Sequence, residues 1–260
     1  RDRIGVKPLY YYYGDEGLIF SSEVRAILRS GIKKFTLNKE VIGEYAMYQT
    51  VFAPNTIIKG IKMLMPGHLA EYENGEATVT AYYSLAKISA SSKDMSYQQV
   101  CHKVNELLTH SVQQRLVADV PFGAFLSGGI DSSAVVGLMS KVSSEKVQTF
   151  NISFDESEFS ESKYAQLIAK KFNTNHHEIK LTPEDFLKQL PEALSAIDHP
   201  SGDGPNTYIV SKATKNAGIT MALSGIGGDE LFAGYDVFKR MAELQKKSWI
   251  NAVPGFAKKA

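Results

Sequence analysis

The stretch Ala124-Phe-Leu-Ser-Gly-Gly-Ile-Asp-Ser-Ser133 decides the fold, because an apolar run gives way to two glycines flanked by hydroxyls and an acid. The pattern predicts a buried strand over 120–126, a turn over 127–129 and a helix over 131–141. Glycines let the backbone approach an anion, and the amides at a helix N-terminus point at it. A phosphate-binding turn between a strand and a helix is therefore expected.

The turn lacks the lysine that follows the glycines of a Walker loop, so an ordinary kinase or GTPase is disfavoured. Asp131 stands in that place, and its carboxylate could hold a Mg²⁺ ion that bridges phosphate oxygens. For the Ser-Gly-Gly element alone, an ordinary turn with a helix cap is the favoured interpretation. The Asp and Ser at these offsets, together with a second loop, reverse that preference.

The second loop is Leu223-Ser-Gly-Ile-Gly-Gly-Asp-Glu-Leu-Phe-Ala-Gly-Tyr235, and it also follows an apolar run, residues 219–223. Two glycine loops at strand ends can face one ligand. Asp229 would then supply a second carboxylate beside Asp131. Taken alone, this loop could equally be a polar surface turn.

As a pair, the two loops resemble those of glutamine-dependent asparagine synthetases, whose ATP-pyrophosphatase domain cleaves ATP between its α and β phosphates. Residues 1–10, 20–28 and 64–68 resemble the end of that family's glutaminase domain. The resemblance implies an α/β fold. Its C-terminal domain would be a parallel-sheet ATP-pyrophosphatase (adenine nucleotide alpha hydrolase-like) fold, preceded by an antiparallel β-rich remnant of an N-terminal-nucleophile glutaminase domain.

The expected domains are 1–90 and 91–260, joined by the serine-rich stretch 88–95. Hairpins are expected around residues 14–17 and around Asn74-Gly75. In the second domain, strands and helices alternate, which implies a parallel sheet. Besides the elements around the first loop, the predicted spans are strands 147–154, 176–180 and 219–224 and helices 161–172, 183–197 and 205–217.

The resemblance also assigns roles to individual residues. Asp131 and Asp229 are the expected metal ligands and, with Tyr235, the expected catalytic residues. The expected cofactors are ATP and Mg²⁺. The residues expected to contact ATP and its pyrophosphate are Leu126, Ser127, Gly128, Gly129, Asp131, Ser132, Ser133, Ile152, Ser224 and Gly225. For Leu126 and Ile152, the residues alone favour plain core packing.

Three further segments carry chemistry-bearing residues. Residues 198–208 resemble the family's acceptor segment, in which Asp203, Asn206 and Thr207 shape the acceptor pocket; turn and N-cap chemistry, with Pro205 at the first helical position, is the equal alternative. His176-His177-Glu178 is interpreted as structural, because adjacent strand residues point to opposite faces. The one cysteine, Cys101, lies in a helical apolar pattern and is expected to be structural.

Two departures from the family are visible. Ile226 stands where many relatives have a glutamate, and isoleucine can neither accept a proton nor bind a cation. In addition, the family's N-terminal glutaminase cysteine and a downstream lysine have no counterpart here. The chain is therefore expected to be a piece of a longer enzyme and incomplete by itself.

The function implied is ATP-dependent synthesis of asparagine from aspartate through β-aspartyl-AMP, with ammonia derived from glutamine and with AMP and pyrophosphate released. Two alternatives stay open: an amidotransferase acting on another carboxylate, such as a sugar acid, peptide or β-lactam precursor, or an inactive nucleotide-binding module. The 260 residues, 43% hydrophobic with a formal charge of +1, fit a cytoplasmic enzyme of small-molecule substrates (aspartate or a related acid, glutamine or ammonia). Neither nucleic acid nor a membrane is an expected partner, and a homodimer stays open.

Overall fold

The computed structural model describes residues 1–87, 95–153 and 161–246. The strands are β1 (Tyr10–Gly14), β2 (Gly17–Ser21), β3 (Ile61–Met63), β4 (His68–Glu73), β5 (Glu76–Ala81), β6 (Phe122–Phe125), β7 (Gln148–Ser153), β8 (Asn175–Lys180) and β9 (Met221–Leu223). The helices are α1 (Val24–Arg29), α2 (Ile42–Tyr48), α3 (Tyr97–Arg115), α4 (Ile130–Val142), α5 (Ser162–Lys171), α6 (Pro183–Ala196), α7 (Gly204–Asn216), α8 (Gly228–Phe232) and α9 (Asp236–Lys246).

The chain divides into two compact units. One contains Arg1–Ser96 and Pro183–Lys212, and the other contains Tyr97–Thr182 and Ala213–Ala260. The predicted domains, 1–90 and 91–260, stay a prediction, and the structure adds that residues 183–212 pack with the first unit. Nearly all of the predicted linker, residues 88–94, lies outside the described residues.

The first unit contains two antiparallel sheets. β1 pairs with β2 and β3 in the order β2-β1-β3, and β4 pairs with β5. Both predicted hairpins are confirmed. In the second, Asn74 and Gly75 have φ values of 52° and 85°, the left-handed conformation that a two-residue hairpin turn requires at both positions. The core of this unit contains Tyr10, Tyr12, Val24, Ile27 and Ile61.

The second unit contains a four-stranded sheet in the order β8-β7-β6-β9, in which every pair is parallel. Its main hydrophobic cluster comes from the sheet strands and the residues next to them and from α3, α4 and α5: Val112, Ala124, Leu126, Val136, Met139, Val147, Ala165 and Ala169. The α/β class, with antiparallel sheets preceding a parallel one, is confirmed. The predicted strands and helices of this unit appear in the predicted order, with ends that differ by a few residues.

The position of β6 in this sheet determines where the two glycine loops lie. β9 pairs directly with β6, with Ala124 opposite Leu223. Because the two strands are parallel, the residues that follow them emerge at the same edge of the sheet. Residues 127–129 and 224–227 are therefore neighbours, although residues 130–223 separate them in sequence.

Cys101 does not meet the expectation of a structural cysteine, because its side chain is exposed on α3. Val112 is the buried residue of that helix, so the apolar pattern is buried towards its C-terminal end and not around Cys101.

Among the described residues, no helix is both long enough and apolar enough to cross a membrane.

Candidate functional site

A cleft of about 720 Å³ opens at the carboxyl edge of the parallel sheet, between the two glycine loops. Every residue that lines it belongs to the second unit. The lining residues are Phe125, Ser127, Gly129, Ile130, Asp131, Ser132, Ser224, Gly225, Ile226, Gly227, Gly228, Asp229, Glu230, Phe232, Gly234 and Tyr235. The structure thus brings together most of the residues predicted to bind ATP.

The two loops touch through their backbones. A Cβ atom added to Gly225 would lie 2.8 Å from the amide nitrogen of Ser132 and 2.9 Å from the Cβ of Asp131. Such distances are shorter than van der Waals contact allows, so any side chain at position 225 would push the loops apart. The glycine permits the close approach that forms the cleft.

Hydrogen bonds within the first loop fix its shape. The Oγ atoms of Ser127 and Ser132 lie 3.0 Å apart, and the amide of Gly129 donates to the Oγ of Ser127 over 3.2 Å. The Oγ of Ser132 lies 3.2 Å from the carbonyl oxygen of Gly129. These hydroxyls are half-buried or exposed at the cleft, where they can donate to an anion.

Gly128 is required for a different reason. Its φ of +89° is in the left-handed region, and a Cβ atom there would lie 2.6 Å from the carbonyl carbon of Tyr164 and 2.7 Å from the amide nitrogen of Ala165. The loop therefore packs against the first turn of α5. Gly128 supports the loop from behind and does not line the cleft.

The two predicted metal ligands both line the cleft, and each carboxylate lies against a glycine. A Cβ at Gly228 would overlap the carboxylate of Asp131, and one at Gly234 would overlap that of Asp229. Glycine at these positions leaves room for both acids at one edge. We call the carboxylates of Asp131 and Asp229, together with the backbone of Gly228 and Gly234, the polar wall.

The negative charges at the cleft change the pKa of Tyr235. Its hydroxyl donates to Glu230 over 3.1 Å, and this hydrogen bond is the main cause that raises the pKa of Tyr235 above the ordinary tyrosine value. The negative charge of Glu230 raises it further, and the charges of Asp229 and Asp131 add smaller effects. Tyr235 is therefore protonated near neutral pH, and its single hydroxyl proton is donated to Glu230.

The polar wall suits a hard cation, such as Mg²⁺, that binds together with phosphate. Among the described residues, no cluster of three or more His, Cys, Asp or Glu side chains could by itself hold a metal ion. Mg²⁺, however, is commonly bound through one or two carboxylates, with water and substrate phosphates completing its shell. Asp131 and Asp229 match that pattern, and glycine amides stand beside them.

Besides Gly128, three predicted nucleotide contacts lie outside the lining of the cleft. Leu126 is 1% exposed and belongs to the core, as the residues alone favoured. Ile152 is half-buried in β7. The Oγ of Ser133 is buried in the first turn of α4 and has no hydrogen-bond partner among the described residues. Their roles in binding stay predictions.

Asn151, which the sequence analysis did not single out, is buried beside the first loop. It is 6% exposed, and its side-chain amide donates to the carbonyl oxygen of Leu126 over 3.0 Å. No sequence signal singles it out, because Gln148, Thr149 and Ser153 are polar as well and leave β7 without an apolar run to interrupt.

The predicted acceptor segment lies in the first unit. Asp203, directly before α7, accepts hydrogen bonds from the side chains of Asn206, over 3.3 Å, and Thr207, over 3.1 Å. Both contacts join side chains, whereas an N-cap side chain accepts from a backbone amide, so N-cap chemistry stays an alternative interpretation. Pro205 is the second residue of α7 as the helix begins at Gly204. A role in acceptor binding stays a prediction.

The His-His-Glu segment has separate partners for its two imidazoles. His176 contacts the hydroxyl of Thr149 over 3.0 Å, whereas His177 contacts Gln148 over 2.9 Å and stacks on Phe150. Burial lowers the pKa of His176, so this imidazole is neutral at pH 7. The contacts explain both rings as parts of the β7–β8 pairing.

Comparisons with known proteins agree on one family. The asparagine synthase family model matches residues 103–259, and the glutamine amidotransferase domain model matches residues 1–83. A Methanocaldococcus jannaschii protein named as a candidate asparagine synthetase (glutamine-hydrolysing) is 35% identical over 240 residues, which cover 90% of this chain and 46% of the relative.

Two other similar proteins have different names, one a synthetase and one an amidase. Asparagine synthetase (glutamine-hydrolysing) 1 of Bacillus subtilis is 30% identical and covers 94% of this chain and 38% of its own length. Amidase chyE of Penicillium rubens is also 30% identical, over 92% of this chain and 38% of its own length. The chain thus spans less than half of the length of these relatives.

Proposed function

The chain belongs to the asparagine synthase family, and from that premise we propose that it carries the ATP-binding part of an enzyme that makes asparagine from aspartate. ATP would activate the acceptor as β-aspartyl-AMP, and ammonia derived from glutamine would complete the amide. One observation carries the proposal. The loops at 127–133 and 224–229 line a single cleft, with Asp131 and Asp229 both in it.

The proposed chemistry begins with activation of a carboxylate. An oxygen of the acceptor carboxylate forms a bond to the α-phosphorus of ATP, and the bond from that phosphorus to the bridging oxygen of the β-phosphate breaks, releasing pyrophosphate. Ammonia then forms a C–N bond at the acyl carbon, loses a proton, and displaces AMP, which keeps the acceptor's oxygen. Activation is needed because oxide is a poor leaving group from a carboxylate, whereas AMP is a good one.

The residues of the cleft suit the first step. Amides of the first loop and the hydroxyls of Ser127 and Ser132 would bind the departing pyrophosphate, and electrostatic positioning of this kind lowers the barrier without covalent participation of the protein. Asp131 and Asp229 would hold Mg²⁺, which when bound neutralises phosphate charge. Tyr235 could donate to a phosphate oxygen by exchanging its present acceptor, Glu230, because its hydroxyl carries a single proton.

Oxygen-18 transfer tests this proposal most directly. The full-length protein is supplied with ATP, Mg²⁺, ammonia and aspartate labelled with ¹⁸O in its side-chain carboxylate. We expect equal amounts of AMP, pyrophosphate and asparagine, with one ¹⁸O atom in each AMP. Release of ADP, or AMP without the label, would exclude adenylation of the acceptor. Omission of aspartate controls for ATP hydrolysis.

A second candidate has the same chemistry and another acceptor. Ile226, which is 93% exposed in the cleft where many family members have glutamate, is compatible with it, although the same substitution favours an inactive nucleotide-binding module. The name of the Penicillium rubens amidase is consistent with amide chemistry beyond asparagine. Acid-dependent exchange of labelled pyrophosphate into ATP separates the candidates: exchange with aspartate supports the first, and exchange with other carboxylic acids alone supports the second. Nucleotide binding without any exchange would indicate an inactive module.

A further inference from the structure

We propose that Asn151 is a positioning residue for the phosphate loop: it holds the carbonyl of Leu126 and so fixes the direction in which residues 127–129 leave the sheet. This inference rests on the proposed function of that loop. It adds a residue of β7 that neither the sequence pattern nor the family motifs assign to the site.

The contact lies at the point where strand pairing stops. β6 is paired with β7 as far as Phe125, which is opposite Phe150. The amide of Leu126 still donates to the carbonyl oxygen of Phe150 over 2.8 Å, and the side chain of Asn151 donates to the carbonyl oxygen of Leu126 over 3.0 Å. Both polar groups of the last residue before Ser127 are therefore held by β7.

The orientation of the Asn151 amide follows from its partner. A carbonyl oxygen can only accept, so the group that faces Leu126 must be the NH₂ and not the oxygen. The Oδ1 atom of Asn151 is consequently directed elsewhere. It is buried and has no hydrogen-bond partner among the residues that the structure describes.

An unpartnered oxygen makes Asn151 a poor choice for stability alone. A buried hydrogen bond contributes about as much to stability as an unsatisfied buried acceptor costs, so the two polar ends of the side chain roughly cancel. An apolar residue of similar volume would fill the same space. What the asparagine supplies that an apolar residue cannot is a fixed carbonyl at the base of the loop.

The remainder of the loop is already supported on other sides. Gly128 packs against the backbone of Tyr164 and Ala165, and the loop's own hydroxyls bond to one another. The base at Leu126 is the side that faces β7. Movement of that carbonyl would rotate the peptide groups that follow it, including the amides that are aimed at the anion. Small misplacements of binding groups reduce affinity and rate strongly.

The test compares Asn151→Leu with Thr149→Val in the full-length protein. Thr149 is the matched control, because it is on the same face of β7, is fully buried, and bonds to Thr174 and His176 and not to the loop. Binding of Mg²⁺-pyrophosphate and of MgATP is measured by calorimetry, and unfolding by circular dichroism. Asn151→Leu leaves one unpaired buried acceptor, as in the wild type, so its Tm should stay within about 5 °C.

We expect Asn151→Leu to weaken both ligands about tenfold and Thr149→Val to leave both affinities unchanged. Equal binding by Asn151→Leu and the wild type would overturn the positioning role while leaving the proposed function intact. Equal losses in the two variants would assign Asn151 a merely structural role and would also overturn it. Wild-type protein that binds neither ligand would instead count against the proposed function. Asn151→Ala, which leaves a cavity, serves as a second variant if the leucine side chain prevents folding.

Discussion

The backbone of Gly225 lies against that of Ser132, so closely that a methyl group on Gly225 would come within 2.8 Å of the Ser132 amide nitrogen. The two residues belong to different loops, and this contact joins the strand ends into one cleft. Neither residue has a flexible side chain at the contact that could move aside. The separation of the loops therefore depends on the absence of a side chain at position 225.

The first prediction concerns that contact. Gly225→Ala should separate the loops, destabilise the second unit by about 1–3 kcal/mol through overpacking, and weaken MgATP binding at least tenfold. Gly43→Ala is the control, because no atom lies within 4 Å of the position of its added methyl group, and it is within α2. That change should not affect binding and should, if anything, stabilise its helix. Unaltered MgATP affinity in Gly225→Ala would contradict the close contact.

The sequence predicted the order of strands, turns and helices in the second unit better than it predicted the contacts between them. An apolar run, two glycines and a Ser/Asp helix start specify strand, turn and helix locally, so residues 120–141 could be interpreted without tertiary information. The meeting of the loops followed from a general rule for parallel sheets. The contact of Gly225 with Ser132 did not, because it depends on β9 pairing directly with β6.

Three other features could not be predicted from the sequence pattern, each for a physical reason. Asn151 is in the interior of a strand, where a polar residue predicts nothing until its partner, the Leu126 carbonyl, is known. Cys101 is in an apolar helical pattern that the structure buries only near Val112. Residues 183–212 continue the strand and helix alternation in sequence but pack with the first unit. Each depends on tertiary packing, which local periodicity does not encode.

The second prediction concerns the charge of Asp131. Its carboxylate lines the cleft together with Asp229, so bare phosphate should be repelled and Mg²⁺-bound phosphate attracted. Asp131→Asn should weaken Mg²⁺-pyrophosphate binding about tenfold or more. Without Mg²⁺, the same variant should bind pyrophosphate at least as well as the wild type, because one negative charge has been removed.

Calorimetry with and without Mg²⁺ measures this reversal. Asp236→Asn makes the same chemical change in the same unit, outside the cleft lining, and should change neither affinity. A variant that loses both modes of binding equally would show that Asp131 shapes the loop and does not act through metal-bound phosphate.

The third prediction is a pH dependence in the first unit. The carboxylate of Asp2 accepts backbone hydrogen bonds from Lys7, Val6, Gly5 and Ile4, and these bonds, that of Lys7 foremost, lower its pKa from 3.8 to about 2. A depressed pKa means that the folded state favours the carboxylate. The resulting stability is fully present above pH 3.8 and is lost as the pH falls through about 2.

Asp2→Asn should therefore lower the Tm of the first unit at pH 7, and the difference from the wild type should shrink between pH 4 and pH 2. Thermal unfolding at several pH values measures it. Asp15→Asn, in the exposed turn between β1 and β2, is the control for the general effect of removing a negative charge. A difference that stays constant down to pH 2 would mean that these hydrogen bonds do not depend on ionisation.

The last prediction concerns Ile226, which is 93% exposed although it is aliphatic and lines the cleft. Ile226→Glu removes no buried contact, so stability should change by less than about 0.5 kcal/mol. The new carboxylate joins Asp131, Asp229 and Glu230 at the cleft, and a like charge some 6 Å away in water reduces affinity about threefold for each unit of charge on the anion. Binding of metal-free pyrophosphate, which carries several negative charges, should weaken by at least that factor in low salt, and the effect should diminish at high ionic strength. Val117→Glu is the control, because Val117 is 87% exposed in the same unit and is not among the lining residues. If both variants reduce affinity equally, the charge acts on the whole unit, and Ile226 does not face the bound anion.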